Sequence, residues 1–183
     1  MTRRRIGLYG ALVGAFVLAA GAASYAVAGG GKNHFRSGSL NGYEENPDIS
    51  TAAHGRFEVT LDHAAQTLTY RLSYSGLEGD VQQAHVHFAK RGVNGGITLF
   101  LCSNLGNGPA GTPACPPSGT VTRTVGASDI LAPAVSGTPQ GIEAGNFAEL
   151  AAAMRAGSTY ANVHSTKWPG GEIRAQIRER GDD

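Results

Sequence analysis

The sequence predicts an all-β fold, a sandwich or barrel of short strands with one short helix. Three observations carry that reading. Apolar and polar residues alternate over several short runs, the pattern of half-buried strands. Glycine and proline, 27 and 8 of 183 residues, punctuate the chain with turns but lack the Gly-X-Y period of collagen. Only one segment has helical spacing. With 41% hydrophobic and 16% charged residues, the chain can bury a core and is not a highly charged disordered polymer. Its formal net charge of +1 lacks the basic excess of a nucleic-acid binder.

The first residues read as an export segment rather than as fold. Thr2-Arg3-Arg4-Arg5 is a cationic start, and Ile6 to Ala28 follows without a charge. Ala26-Val27-Ala28 before Gly29 has the small-residue pattern of a signal-peptidase site. Residues 1–28 are therefore a cleaved signal peptide or an uncleaved membrane anchor, since 23 uncharged residues also suffice to span a bilayer. The Ala- and Gly-rich composition favours cleavage. The Arg-rich start also loosely resembles a twin-arginine signal. Either way, Lys32 onward lies outside the cytoplasm. Loss of Arg3, Arg4 and Arg5 leaves 12 basic against 14 acidic residues, which weakens a nucleic-acid partner further.

Residues 29–38 read as a polar linker, 39–178 as the folded domain and 179–183 as a polar tail. Phe57, Val59 and Leu61 alternate over Gly55 to Asp62, and Leu68, Tyr70, Leu72 and Tyr74 over Thr67 to Tyr74. The residues between them make a turn of hairpin length, so these two strands pair. Val81 to Phe88, Ile97 to Leu101 and Gly119 to Val125 supply three more strands, and Tyr160 to His164 with Glu172 to Arg178 a closing pair. The helix is Asn146 to Gly157, with Phe147, Leu150, Ala151 and Met154 on one face, Asn146 as cap and Gly157 as terminator.

Cys102 and Cys115 are the only cysteines. An even count in an exported chain predicts one disulfide, closing a loop without hydrophobic period and contributing roughly 3 kcal/mol through chain entropy. The spacing is too long for a Cys-x-x-Cys redox motif.

Histidines form the one constellation that carries chemistry. In Gln83-Ala84-His85-Val86-His87-Phe88 the period of two sends Ala84, Val86 and Phe88 to the core and places His85 and His87 together on the other face. Two imidazoles at that spacing converge on one transition-metal ion, zinc or copper. In Tyr160-Ala161-Asn162-Val163-His164 the same logic puts Asn162 and His164 opposite Ala161 and Val163. If the last two strands form a hairpin, Glu172 stands near His164 as an oxygen ligand, as an outer acceptor for a histidine N–H, or as an ion-pair partner of Arg174. The competing reading is that exposed strands simply tolerate histidine. His34, His54 and His63 fall in the linker, before a strand and in a turn, where solvated side chains are the default. Asn41 to Pro47 reads as a polar turn beside the histidine strand, and Trp168 as a loop aromatic that packs locally. Gly92 to Gly96 lacks the lysine and helix of a phosphate loop. No nucleophile elbow or glycosidase carboxylate pair is visible.

Three stretches together resemble the CHRD domain: Leu40-Asn-Gly-Tyr-Glu-Glu-Asn-Pro, Ala84-His-Val-His, and Tyr160-Ala-Asn-Val-His-Ser-Thr-Lys-Trp-Pro-Gly-Gly-Glu-Ile-Arg-Ala-Gln-Ile. That domain is named for chordin, a secreted antagonist of bone morphogenetic proteins, and occurs in many bacterial exported proteins. The resemblance spans residues 39–178. It implies an immunoglobulin-like β-sandwich similar to copper/zinc superoxide dismutase, and by that likeness His85 and His87 fall on copper-ligand positions. The dismutase's zinc loop and Arg-bearing active-site loop have no counterpart here, and residues 102–118 hold no histidine. Dismutase activity is therefore disfavoured, and chordin's antagonist role does not transfer to a lone domain. The expectation is an exported, non-catalytic copper or zinc module using His85, His87 and His164 with Glu172 in support. The alternative is a structural or adhesive extracellular domain with a protein partner, touching a membrane only through its N-terminal segment.

Overall fold

The computed structural model describes residues 31–181; the stretch read above as a signal peptide or anchor and the last two residues lie outside them. The strands are β1 (Lys32–Ser37), β2 (His54–Asp62), β3 (Thr67–Ser75), β4 (Val81–Phe88), β5 (Gly96–Ser103), β6 (Gly119–Val125), the short pair β7 (Ala134–Val135) and β8 (Thr138–Pro139), β9 (Thr159–Ser165) and β10 (Ile173–Glu179). The helix α1 is Phe147–Arg155. Eight strands form one antiparallel sheet in the order β5-β4-β9-β10-β1-β2-β3-β6, curled almost into a barrel. The all-β architecture with one helix is thus as the sequence predicts. None of the described helices is long and apolar enough to cross a membrane.

Alternation explains the register. Phe57, Val59 and Leu61 on β2 face Leu72, Tyr70 and Leu68 on β3 directly across the hairpin. Their side chains meet Val86, Leu99, Val163 and Ile177 from the other half of the sheet in one buried core. Each such side chain stabilises the fold by roughly 1.5–3 kcal/mol on burial. Tyr70 donates its hydroxyl hydrogen to the Leu101 carbonyl at 2.6 Å, tying the halves together at their centre. Helix α1 starts as its sequence indicates: Asn146 Oδ1 accepts from the Glu149 N–H at 3.1 Å. Gly157, at φ 63°, takes the left-handed turn that ends it.

Cys102 and Cys115 are joined as predicted. Asn104 seconds the bridge: its amide donates to the Val81 and Cys115 carbonyls at 3.0 Å, and Cys115 N–H donates back at 2.9 Å.

The expected linker over 29–38 is corrected. Its Lys32–Ser37 stretch is β1, paired with β2 on one side and with β10 on the other. Only Phe35 and Ser37 of this strand turn inward, too few for an alternation to register. Ser37 accepts the Phe57 N–H at 2.9 Å, so even its inward polar group is used by the sheet.

Candidate metal centre

Three rows of side chains cross the outer face of β5, β4, β9 and β10. Gln83 on β4 lies opposite His164 on β9. Phe100, His85, Asn162 and Arg174 form the next row, from β5 to β10. His87, Tyr160 and Gln176 form the third. Directly opposed residues of antiparallel strands share a face, so the three histidines point the same way, as their spacing predicts.

That face is not solvent. His85 is 0%, His87 8% and His164 6% exposed. Two loops and a turn fold over it. Arg174 donates to Asn94 Oδ1 at 3.0 Å and to the Val93 carbonyl at 2.8 Å, fixing the β4–β5 loop. Gln176 donates to the Ala89 carbonyl at 2.9 Å. The Asn41–Pro47 turn brings in Glu45, whose carboxylate lies against Gly171. Arg174 is itself buried, its guanidinium 3.3 Å over the Tyr160 ring. Tyr160 in turn stacks on His87 with ring centroids 4.8 Å apart.

The histidine rings are oriented by backbone carbonyls. His87 Nδ1 lies 2.8 Å from the Gly95 carbonyl, and His164 Nδ1 lies 2.9 Å from that of Pro169. A carbonyl only accepts, so both Nδ1 atoms carry the proton. In each neutral ring the lone pair is then on Nε2. His85 Nδ1 sits 3.2 Å from His164 Nε2, and Asn162 Oδ1 sits 3.1 Å from the same atom. The Nε2 atoms of His85 and His87 are buried without a partner. One nitrogen from each of the three histidines lies within 4.8 Å of the others. For four ligands at the usual ~2.0–2.1 Å from zinc, tetrahedral edges are about 3.3 Å, close to the two short separations.

Burial keeps these rings neutral. It pushes the His85 pKa down to about 2, with His164 and His87 adding to the effect. It pushes His87 down to about 4 against the opposing pull of the Gly95 carbonyl. His164 is lowered in the same way against the Pro169 carbonyl. Glu45 moves oppositely: burial raises its pKa to about 7, against the charge of Arg174 and polar contact with Asn162.

The profile of the CHRD domain matches residues 36–177. The chain belongs to the CHRD domain family. The CHRD match contains all three converging histidines, the disulfide and every strand of the large sheet in whole or part. No curated protein and no solved structure matches the chain.

Within this CHRD domain, Glu172 does not join the histidines. Its Oε1 accepts from Thr51 Oγ1 at 2.9 Å and from the Glu78 N–H at 2.8 Å. The weighed Glu172–Arg174 ion pair is also absent, because Arg174 is spent on the β4–β5 loop. Trp168 is half-buried and donates Nε1 to Glu78, 90 residues away, at 3.2 Å. His34 and His54 are exposed and bond neighbouring strand hydroxyls, and half-buried His63 bonds Asn33. Glu45 and the carbonyls of Gly95 and Pro169 escaped sequence reasoning. Backbone acceptors leave no residue signature, and Glu45 was one of two adjacent acids in a polar turn. Asn162 was visible only as a face-mate of His164.

Proposed function

We propose that this CHRD domain is an exported, non-catalytic metal-binding module holding one copper or zinc ion at His85, His87 and His164, with Asn162 as a neighbouring oxygen donor. One observation carries the reading. Backbone carbonyls hold Nδ1 of His87 and of His164, which puts the lone pair of each ring on Nε2, and the His87 Nε2 is buried without a partner while the His164 Nε2 meets His85 Nδ1. That is how proteins preset a metal-binding tautomer. Neutral imidazoles without thiolates suit copper or zinc. The metal would act as a Lewis acid or stored ion, and the protein's part is to keep the rings neutral, oriented and away from water. Export is supported by the cationic, uncharged-then-small-residue start of the chain and by the disulfide. Near-complete burial of the rings favours a stored or structural ion over one that meets a stream of substrate.

A structural reading competes, because the His85–His164 contact and the His87–Tyr160–Arg174 stack also pin β4 to β9 and β10 without any ion. Metal analysis of the purified full-length protein, titrated with copper and with zinc, separates the two. Stoichiometric binding that vanishes in His85→Ala/His87→Ala supports the metal module. Absence of binding, with a lowered melting temperature in the variant, leaves the structural role.

A further inference from the structure

The outer face of the sheet continues beyond the histidines into a surface of different chemistry. Arg178 on β10, Arg36 on β1, Glu58 on β2, Arg71 on β3 and Thr122 on β6 are successive cross-strand partners. They therefore form one row on one face. Arg56 and Arg180 flank the row. A groove of about 790 Å³ runs here, lined by all five arginines and by only two carboxylates, Glu58 and Glu179.

The arginines are exposed. Among the described residues the ion pairs are Lys32–Asp62, Arg91–Glu44, Arg123–Asp129 and Lys167–Glu78, so none of the five is paired. Glu179 is instead engaged by the Asn33 amide at 2.8 Å. Arg36 stands directly opposite Arg178, an arrangement that costs stability unless an anion lies between. With 15 basic against 14 acidic residues in the whole chain, this concentration is local.

We infer that the groove docks an acidic polysaccharide, its carboxylate or sulfate groups forked by Arg36, Arg71 and Arg178. Three inter-strand steps separate Arg178 from Arg71, about 14 Å, a span that requires an extended polyanion rather than a single small anion. Hydroxyls of Ser39, Thr60 and Thr69 line the same groove and suit sugar hydroxyls. Its Phe35 and Tyr70 rings are 2% and 1% exposed, which leaves His34 as its one exposed ring, too little to stack a run of nucleic-acid bases. Among the described residues the exposed large apolar ones, Tyr43, Val93, Leu105 and Val135, lie outside the groove and give it no apolar rim to enter a bilayer.

The test is binding of the full-length protein to immobilised dextran sulfate at low salt. Neutral dextran, phosphatidylglycerol vesicles and duplex DNA are run at the same ionic strength. Retention on dextran sulfate alone is expected, lost as salt rises. R36S/R71S weakens it roughly 10-fold or more, the loss due to two charge-assisted contacts. The unchanged melting temperature of this exposed variant confirms its fold, and R178S provides a second, single-site reading. The inference is overturned by no retention, by equal retention of both variants, or by tighter binding to vesicles or DNA than to dextran sulfate.

Discussion

Acidification of the metal-free protein is expected to destabilise it by an amount that the buried site dictates. In the unfolded chain the site histidines titrate near 6.5, whereas folded His85 and His87 resist protonation down to about 2 and about 4. Between those limits the unfolded state binds more protons, so stability falls as pH drops below 6.5. At pH 5 each ring has cost about 1.5 pKa units of linkage, about 2 kcal/mol, or about 4 kcal/mol for the two. His164 adds in the same direction. Glu45 works the other way. Its folded pKa of about 7 lies above its ordinary 4.5, so the folded state binds the extra proton and gains about 2 kcal/mol from pH 7 to pH 5. Before the contribution of His164 the net loss is about 2 kcal/mol, so the fall in melting temperature is at least roughly 4–8 °C for a chain of this size. Glu45→Gln removes the compensating group, so its loss over the same interval is about 2 kcal/mol larger. Thermal unfolding of chelator-treated wild type and Glu45→Gln at pH 7 and pH 5 measures both. A wild type as stable at pH 5 as at pH 7, or a variant with the wild-type pH dependence, would refute this account of the buried charges.

Three further outcomes follow from particular contacts. Cys102→Ser/Cys115→Ser opens a loop closed over a sequence separation of 13 and is expected to lose about 3 kcal/mol in urea unfolding, with metal uptake intact. Arg174→Met strips the β4–β5 loop of its anchor and leaves Glu45 without its nearest cation; a loss of about 3–5 kcal/mol is expected, with faster hydrogen exchange of the Lys90–Gly95 amides. Asn162→Ala is expected to weaken metal affinity roughly 10–100-fold in a competition titration while His85→Ala/His87→Ala abolishes it.

The histidine face was legible because period-two patterning needs only the local chain: Ala84 and Val86 inward dictate His85 and His87 outward. The β2–β3 hairpin, helix α1 and the disulfide were legible for similarly local reasons. What covers the histidines was not. Alternation assigns a residue to the polar side of a strand, and only the folded loops decide whether that side is wet. Here the cover comes from Glu45 and Pro169, distant in sequence from β4, and from Asn94 in the loop that follows it. Strand β1 failed for the same reason, since its existence depends on partners 20 residues or more away, the nearest being Phe57, which bonds Ser37. Glu172 was correctly placed beside His164 by the closing hairpin, its N–H donating to the Val163 carbonyl at 2.8 Å. Its carboxylate went instead to Thr51 and Glu78, partners no local pattern names.

Strand β10 joins the two sites. Its outward residues run from Arg174 and Gln176, buried under the loops that cap the histidines, to Arg178, exposed in the groove. Four residues of strand separate Arg174 from Arg178, about 13 Å. That exceeds the Debye length of about 10 Å at 0.1 M salt, and the histidines lie further still, on β4 and β9. A divalent ion at His85, His87 and His164 would therefore lie more than a Debye length from a polyanion in the groove at physiological salt. Metal loading should leave retention on dextran sulfate unchanged within about 2-fold there, and strengthen it only as salt is lowered and the Debye length grows. A large effect at physiological salt would instead mean that β10 shifts mechanically when the ion binds, with Arg174 and Gln176 as the residues that carry the movement.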